Sequence, residues 1–277
     1  MTSESRPGMA KARPKGSAGW IRVGAAVRRI VLSLVPWLLI IGLWYLVHAS
    51  GLVKAALVPT PWQVATRWWE LVTENGFLID MYMSTQRVVF GVALGIIAAV
   101  PVGFLLGWYQ PVRRFIDPLI NFFRALPPIA LIPLVIVYFG IGEVAKIVIL
   151  FYASFFAGVI VMYEGIAQIS PLYLRVARTL GATDLEIFWR VVVPLAVPHM
   201  LTALRVALGV AWATLVAAEL IAAQKGLGSV IQDASSFFQL DVIYAGILTI
   251  GAIALAMDYL VRRLTRRVLS WQERMIS

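Results

Sequence analysis

Six long apolar runs, separated by short charged or proline-containing segments, decide what this chain can fold into. They extend from about Ile30 to Val47, Ser84 to Trp108, Pro118 to Gly140, Lys146 to Met162, Leu195 to Ala223 and Val242 to Leu260. Inside a bilayer no water is available to the backbone, so a spanning segment must be a helix or part of a closed barrel, and runs of about 20 apolar residues fit the helix. Hydrophobic residues make up 61% of the 277, charged residues only 14%, and the mean hydropathy is +0.85. Soluble domains are about half apolar. The expected fold class is therefore all-α, a polytopic membrane protein with about six transmembrane helices.

Basic residues orient the chain. The tail 1–29, the turn at Arg113 and Arg114, the segment 170–194 and the tail 261–277 carry seven, two, three and five Lys or Arg. The opposite loops carry only Lys54, Arg67, Lys146 and Lys225. The excess of Lys and Arg on cytoplasmic loops places both tails and segment 170–194 inside the cell. The net charge of +10 thus reads as topology and contact with membrane lipid, not as affinity for nucleic acid. The tail 1–29 has no apolar periodicity and is expected to be mostly disordered. The run after it is too long for a signal-peptide core and reads as a retained first span. Residues 49–83 hold an amphipathic stretch with Trp62, Trp68 and Trp69, suited to the outer interface.

The polar interruption from Ser170 to Pro198 carries the clearest local signals. Ser170 and Pro171 read as an N-cap followed by proline at the first helical position. Leu172, Val176 and Leu180 share one face with Ala177, and Gly181 suits a left-handed helix stop. Thr183 and Glu186 form a capping box that starts a second helix, which Pro194 and Pro198 are expected to end. The product is an amphipathic helix, turn and helix carried between spans.

These residues resemble a known family, the membrane-spanning permease subunits of bacterial binding-protein-dependent ATP-driven importers. The family signature is E-A-A, three residues, Gly, nine residues, then I-x-L-P. Here Arg175-Val176-Ala177, followed by Arg178, leads to Gly181-Ala182 and then to Val191-Val192-Val193-Pro194. Arg175 replaces the signature Glu, while the Gly and Pro anchors are identical. The resemblance runs from about Pro59 to the C-terminus and is closest to the taurine, alkanesulfonate and nitrate permeases. It implies the type I importer (MetI-like) permease fold, a transmembrane domain over 30–260 and a coupling loop at 170–194. It also implies two ATP-binding cassette ATPase subunits, a second copy of the permease, a periplasmic or lipid-anchored binding protein, and a place in the bacterial inner membrane. ATP and Mg would be bound by the ATPase. Consistently, the chain has no G-x-x-x-x-G-K-[ST] pattern, no cysteine and only two histidines, which removes phosphate-loop and paired-ligand metal chemistry.

Charges near the spans are the remaining candidates, because ionisable groups in a bilayer are costly unless paired or hydrated. Arg124, just before Pro127 and Pro128, reads as an electrostatic guide for an anion or as a side chain snorkelling to the inner headgroups, the latter favoured by its early position. Arg205 reads equally as a path residue or a structural ion pair. Glu219, toward the outer end of span five, reads as a structural or gate-region partner. Gly226 and Gly228 read as flexible joints of an outer gate loop or as parts of a plain surface loop. A stripe of Gly91, Gly95, Ala99, Gly103 and Gly107 at four-residue intervals predicts a close helix contact. The expected function is a non-catalytic permease subunit for a small anion, most readily taurine or another sulfonate. Nitrate, bicarbonate, an aromatic carboxylate or a pyrimidine precursor are the alternatives. An ion-coupled transporter or channel would need coupling carboxylates deep in the spans, where Glu219 and Asp258 are the only near candidates. A membrane enzyme would need a clustered nucleophile, base or metal set that the sequence lacks.

Overall fold

The computed structural model describes residues 17–51, 57–74, 76–222 and 224–269. Among these every regular element is helical. Residues up to Trp62 form one compact unit and those from Gln63 onward a second.

The first unit contains α1 (Ser17–Ala49). This helix starts thirteen residues before the apolar run, so the expectation of disorder over 1–29 fails for 17–29. Residues 1–16 lie outside those described. Trp44 Nε1 donates to the Pro59 carbonyl at 3.0 Å and His48 Nδ1 to that of Val58 at 2.6 Å, which folds the following strand of chain back on the end of α1.

The second unit is built on the packing of α3 (Phe77–Trp108) against α6 (Glu143–Ala167). The small-residue stripe is the reason. A Cβ placed on Gly95 would stand 2.6 Å from Ser154 Cβ, and one on Gly107 would stand 2.7 Å from Ile166 Cβ. Gly91 and Gly103 face Leu150 and Met162 as closely. The partners on α6 thus recur every four residues, as the stripe does, and two ridges lock over four turns.

Between these helices the third apolar region is broken as expected. α4 (Gln110–Ala125) and α5 (Pro128–Phe139) meet at 90° across Leu126 and Pro127. Pro127 and Pro128 supply no N–H, and the Phe123 carbonyl left at the end of α4 accepts from Tyr152 Oη at 2.5 Å. Protein, not lipid, satisfies the break.

After α6 come α7 (Pro171–Thr179) and the single turn α8 (Asp184–Ile187). The expectation that Pro194 and Pro198 end the second helix is corrected here. The chain is helical without a break from Asp184 to Ile221, passing through a widened π turn at Phe188–Val192 into α9 (Val193–Ala222). In an unbroken α-helix the ring of Pro194 would strike the carbonyl of Arg190. The π turn, closed by Val193 N–H to the Phe188 carbonyl, takes up the mismatch one residue earlier.

The remaining elements are α2 (Pro61–Glu74), α10 (Leu227–Ser236) and α11 (Leu240–Val268). α2 is held to α11 by Trp68 Nε1 donating to Thr249 Oγ1 at 2.9 Å. α3, α6, the run containing α9, and α11 are each long and apolar enough to cross a bilayer, and the bent α4–α5 pair is a fifth when counted as one broken span. With the apolar part of α1 this matches about six spans. Residues 270–277 of the tail lie outside the described residues, and α11 itself continues to Val268.

The seam predicts its own failure. Replacing Gly95 by Leu should lower folded yield and the unfolding midpoint in detergent, a cost of about 1–3 kcal/mol for overpacking. Gly209→Ala, whose Cβ would meet nothing within 4 Å, should leave the midpoint unchanged or slightly raised.

Candidate functional site

Segment 170–194 folds as its capping residues dictate. Ser170 Oγ accepts from Leu172 N–H at 3.3 Å. α7 stops with Gly181 at φ 82°, where Ala182 N–H donates to the Ala177 carbonyl at 3.1 Å and Gly181 N–H to that of Arg178 at 3.0 Å. This is a Schellman stop. Thr183 and Glu186 then complete a reciprocal capping box.

Ala177 does not share the outer face with Leu172, Val176 and Leu180. Leu174 and Ala177 pack toward Phe104, Met162 and Ile166, whereas Leu172, Val176 and Leu180 point away from the chain. Leu180 is 83% exposed, and Leu185 and Trp189 extend the same outward surface. Phe188 stands edge-on to Phe104 at 5.5 Å and to Trp108 at 5.9 Å. Segment 170–194 is thereby keyed to the ends of α3, α6 and α9, with an apolar surface left over. Arg178 pairs with Asp184 at 3.3 Å. Arg175 is exposed and makes no ion pair among the described residues.

At the opposite end of α9, Glu219 is buried and lies in a four-helix polar cluster. Arg87 of α3 donates through Nη1 to Glu219 Oε1 at 2.5 Å. Its Nε and Nη2 both reach Glu143 of α6 at 2.6 Å. Lys146 Nζ donates to Glu143 Oε1 at 3.0 Å. Two cations and two carboxylates so neutralise one another, which offsets the cost of burying Arg87, Lys146 and Glu219, Glu143 being half-exposed.

The same cluster holds the start of α10. Gly226 N–H donates to Asp80 Oδ1, Leu227 N–H to Ser84 Oγ and Gly228 N–H to Glu219 Oε2, each at 2.8 Å. Three of the donors that any helix N-terminus leaves over are thus taken by side chains of α3 and α9. Gly226 and Gly228 are therefore not flexible joints. A Cβ on Gly226 would lie 2.5 Å from Glu219 Oε1, and one on Gly228 would lie 2.5 Å from Glu219 Cβ. Gly226 also sits at φ 131°, a conformation that favours glycine. Their role is close approach.

Of the other path candidates, Arg124 is exposed at the end of α4 and makes no ion pair among the described residues, while Pro127 and Pro128 form the bend. Arg205 donates from Nε to Asp258 Oδ1 at 2.8 Å, and Asp258 also takes Arg262. No fourth ionised partner joins these three groups among the described residues.

Sequence reasoning missed Arg87, Glu143 and Lys146. Arg87 is the fourth residue of the run Ser84–Trp108, and the same cost argument that selected Glu219 points to it. Lys146 was counted as a loop charge, yet it is buried in the first turn of α6. Glu143 gave no signal before the helix start was known.

A bundle of apolar helices that leaves an apolar surface outward on segment 170–194 and pairs its buried charges with one another is the architecture of a membrane transport subunit. The chain belongs to the family described as the binding-protein-dependent transport system inner membrane component, whose model matches residues 91–270. A protein of Brucella abortus (strain 2308) named as an ABC transporter permease is 43% identical over 91% of this chain and 100% of its own length. The taurine transport system permease protein of Escherichia coli (strain K12) is 34% identical over 88% of this chain and 90% of its own. In fold, the chain is similar to a chain of the inward-facing MetNI methionine ABC transporter. The TM-score is 0.61 at 20% identity, covering 69% of this chain and 95% of that one.

The cluster makes a sharp prediction. Arg87→Met strands Glu219 in a buried site and should cost about 3–5 kcal/mol. Arg87→Met with Glu219→Gln should recover part of that loss, as read by thermal unfolding of the purified protein in detergent.

Proposed function

We propose that this chain, as a dimer, forms the translocation path of an ATP-driven importer for a small oxyanion, with taurine or another sulfonate the leading solute. The observation that carries the coupling half of this reading is the outward surface of Leu172, Val176, Leu180, Leu185 and Trp189. Burying each such side chain is worth about 1.5–3 kcal/mol, enough together to seat a partner firmly. The partner is an ATPase subunit, one per permease copy, which holds ATP and Mg. Segment 170–194 and both tails face the cytoplasm, in keeping with the distribution of Lys and Arg. A binding protein delivers solute at the other side, above the α10 cluster.

The solute class rests on the relatives. The taurine permease is 34% identical, and the nitrate import permease protein of Leptolyngbya laminosa is 28% identical over 97% of this chain. Sulfonates and nitrate share a delocalised negative charge over several oxygens. Nitrate is the second reading, and bicarbonate, an aromatic carboxylate and a pyrimidine precursor follow it.

Mechanically, closure of the ATPase pair pushes on α7, and Phe188 passes the displacement to Phe104 and Trp108 at the inner end of α3. α9, continuous with α8, carries it outward toward Glu219 and α10. No residue of this chain performs covalent chemistry. Arg124, Pro127, Pro128 and Arg205 are assigned to the path, and Gly226 and Gly228 to its external end.

Reconstitution tests the whole reading. Liposomes holding this chain, its ATPase and its binding protein should accumulate taurine only with ATP, and omission of the ATPase should abolish uptake; uptake without it would refute the reading. Gly181→Val, which forces a β-branched residue to φ 82°, should lower uptake at least tenfold while the ATPase still hydrolyses ATP. Unchanged uptake would remove segment 170–194 from the coupling route.

A further inference from the structure

Three ionisable side chains on α9 and α11, Arg205, Asp258 and Arg262, have no part in the cluster around Glu219. Arg205 lies fourteen residues before Glu219 on α9, about 21 Å along the helix axis. Its side chain is 39% exposed, that of Asp258 is 26% and that of Arg262 is 56%. Charged groups in a spanning segment are retained where they meet a water-filled cavity or a partner, because hydrocarbon would exact several kcal/mol from each.

The face around Arg205 has a composition of the same kind. Its exposed neighbours on α9 are Thr202, Val206, Gly209 and Ala213, and the space beside Gly209 is open. Large aliphatic side chains, which a lipid-facing surface would carry, occur instead on α11 at Leu248, Leu255 and Leu260. The small and polar face of α9 leaves room beside the guanidinium.

The charges do not balance. Arg205 and Arg262 share one carboxylate, Asp258, so the group keeps a net positive charge. Only Nε of Arg205 is engaged, at 2.8 Å from Asp258 Oδ1. Its two terminal amino groups have no hydrogen-bond partner among the described residues. Held by its Nε edge, the guanidinium offers the geometry that takes two oxygens of one anion.

We propose that Arg205, anchored by Asp258, is an oxyanion site within the solute path, taking a sulfonate, nitrate or carboxylate group between its delivery outside and its release inside. This deepens the function proposed above and rests on its reading of the solute as an oxyanion. A lipid phosphate has the same chemistry and could occupy the same fork, so the test separates the two.

The complete complex, reconstituted with its ATPase and binding protein, is assayed for taurine uptake with wild type, Arg205→Gln and Arg205→Lys. Arg262 still pairs with Asp258 in both variants, so no carboxylate is stranded and the complex should assemble at wild-type yield. Uptake by Arg205→Gln should fall at least tenfold. Arg205→Lys, which keeps the charge and loses the fork, should fall between the two. Wild-type uptake by Arg205→Gln would overturn the site, as would parallel loss of assembly and uptake in both variants. So would loss of copurified phospholipid from Arg205→Gln with taurine uptake intact, which would give the fork to lipid. If the wild-type complex carries neither taurine nor nitrate, the reading of the solute fails and the site with it; failure of Arg205→Gln alone to impair uptake leaves that reading standing.

Discussion

The close approach of α3 to α6 is the constraint on which the rest of the second unit depends. Helices in lipid gain little from apolar burial, so association rests on dispersion contacts, and these need backbones that can come near one another. Gly91, Gly95, Ala99, Gly103 and Gly107 provide that approach over the length of α3. Both candidate sites lie at the two ends of this seam. At one end Arg87 of α3 reaches Glu143 of α6. At the other, Trp108 and Phe104 of α3 meet Phe188 of segment 170–194. Loosening the seam would therefore disturb both ends together, although neither site contains a glycine of the stripe.

Burial of charge is organised in contrasting ways at two depths. Around Glu219 the charges of Arg87, Lys146, Glu143 and Glu219 pair with one another, and what remains of the Glu219 carboxylate's capacity is used on Ser84 and the amide of Gly228. Such a cluster is costly to break from one side and gives little net stability as a whole, so its effect is to fix where α10 sits. Around Arg205 the pairing is incomplete and the side chains are accessible. The fold thus spends its acids where a helix must be held and leaves an excess cation where the α9 face is open.

Much of this was legible in the residues. The number and order of spans followed from hydropathy, the α4–α5 bend from Pro127 and Pro128, and the helix, turn and helix of segment 170–194 from Ser170, Gly181, Thr183 and Glu186, because each of these acts through its immediate neighbours. What was not legible depends on elements distant in sequence. Leu172, Val176 and Leu180 form a periodic face, but whether it turns inward is settled by Phe104, Met162 and Ile166, far from it in the chain. Pro194 reads locally as a stop, and only the π turn before it lets the helix continue. Gly226 and Gly228 read locally as freedom, whereas Glu219 and Ser84 convert them into tightly occupied positions. Arg87 was visible in its run, but its two acidic partners come from α6 and α9.

The unbroken run from Asp184 to Ile221 has a mechanical consequence. Its 38 residues make a helical run about 57 Å long, one end of which begins in segment 170–194 while the other stops two residues past Glu219. A pivot of about 5° near its middle moves each tip by roughly 2.5 Å in opposite senses, on that length. Under the coupling proposed above, a stroke of that size, comparable to a hydrogen bond, would reach Glu219 and its amides through one continuous piece of chain.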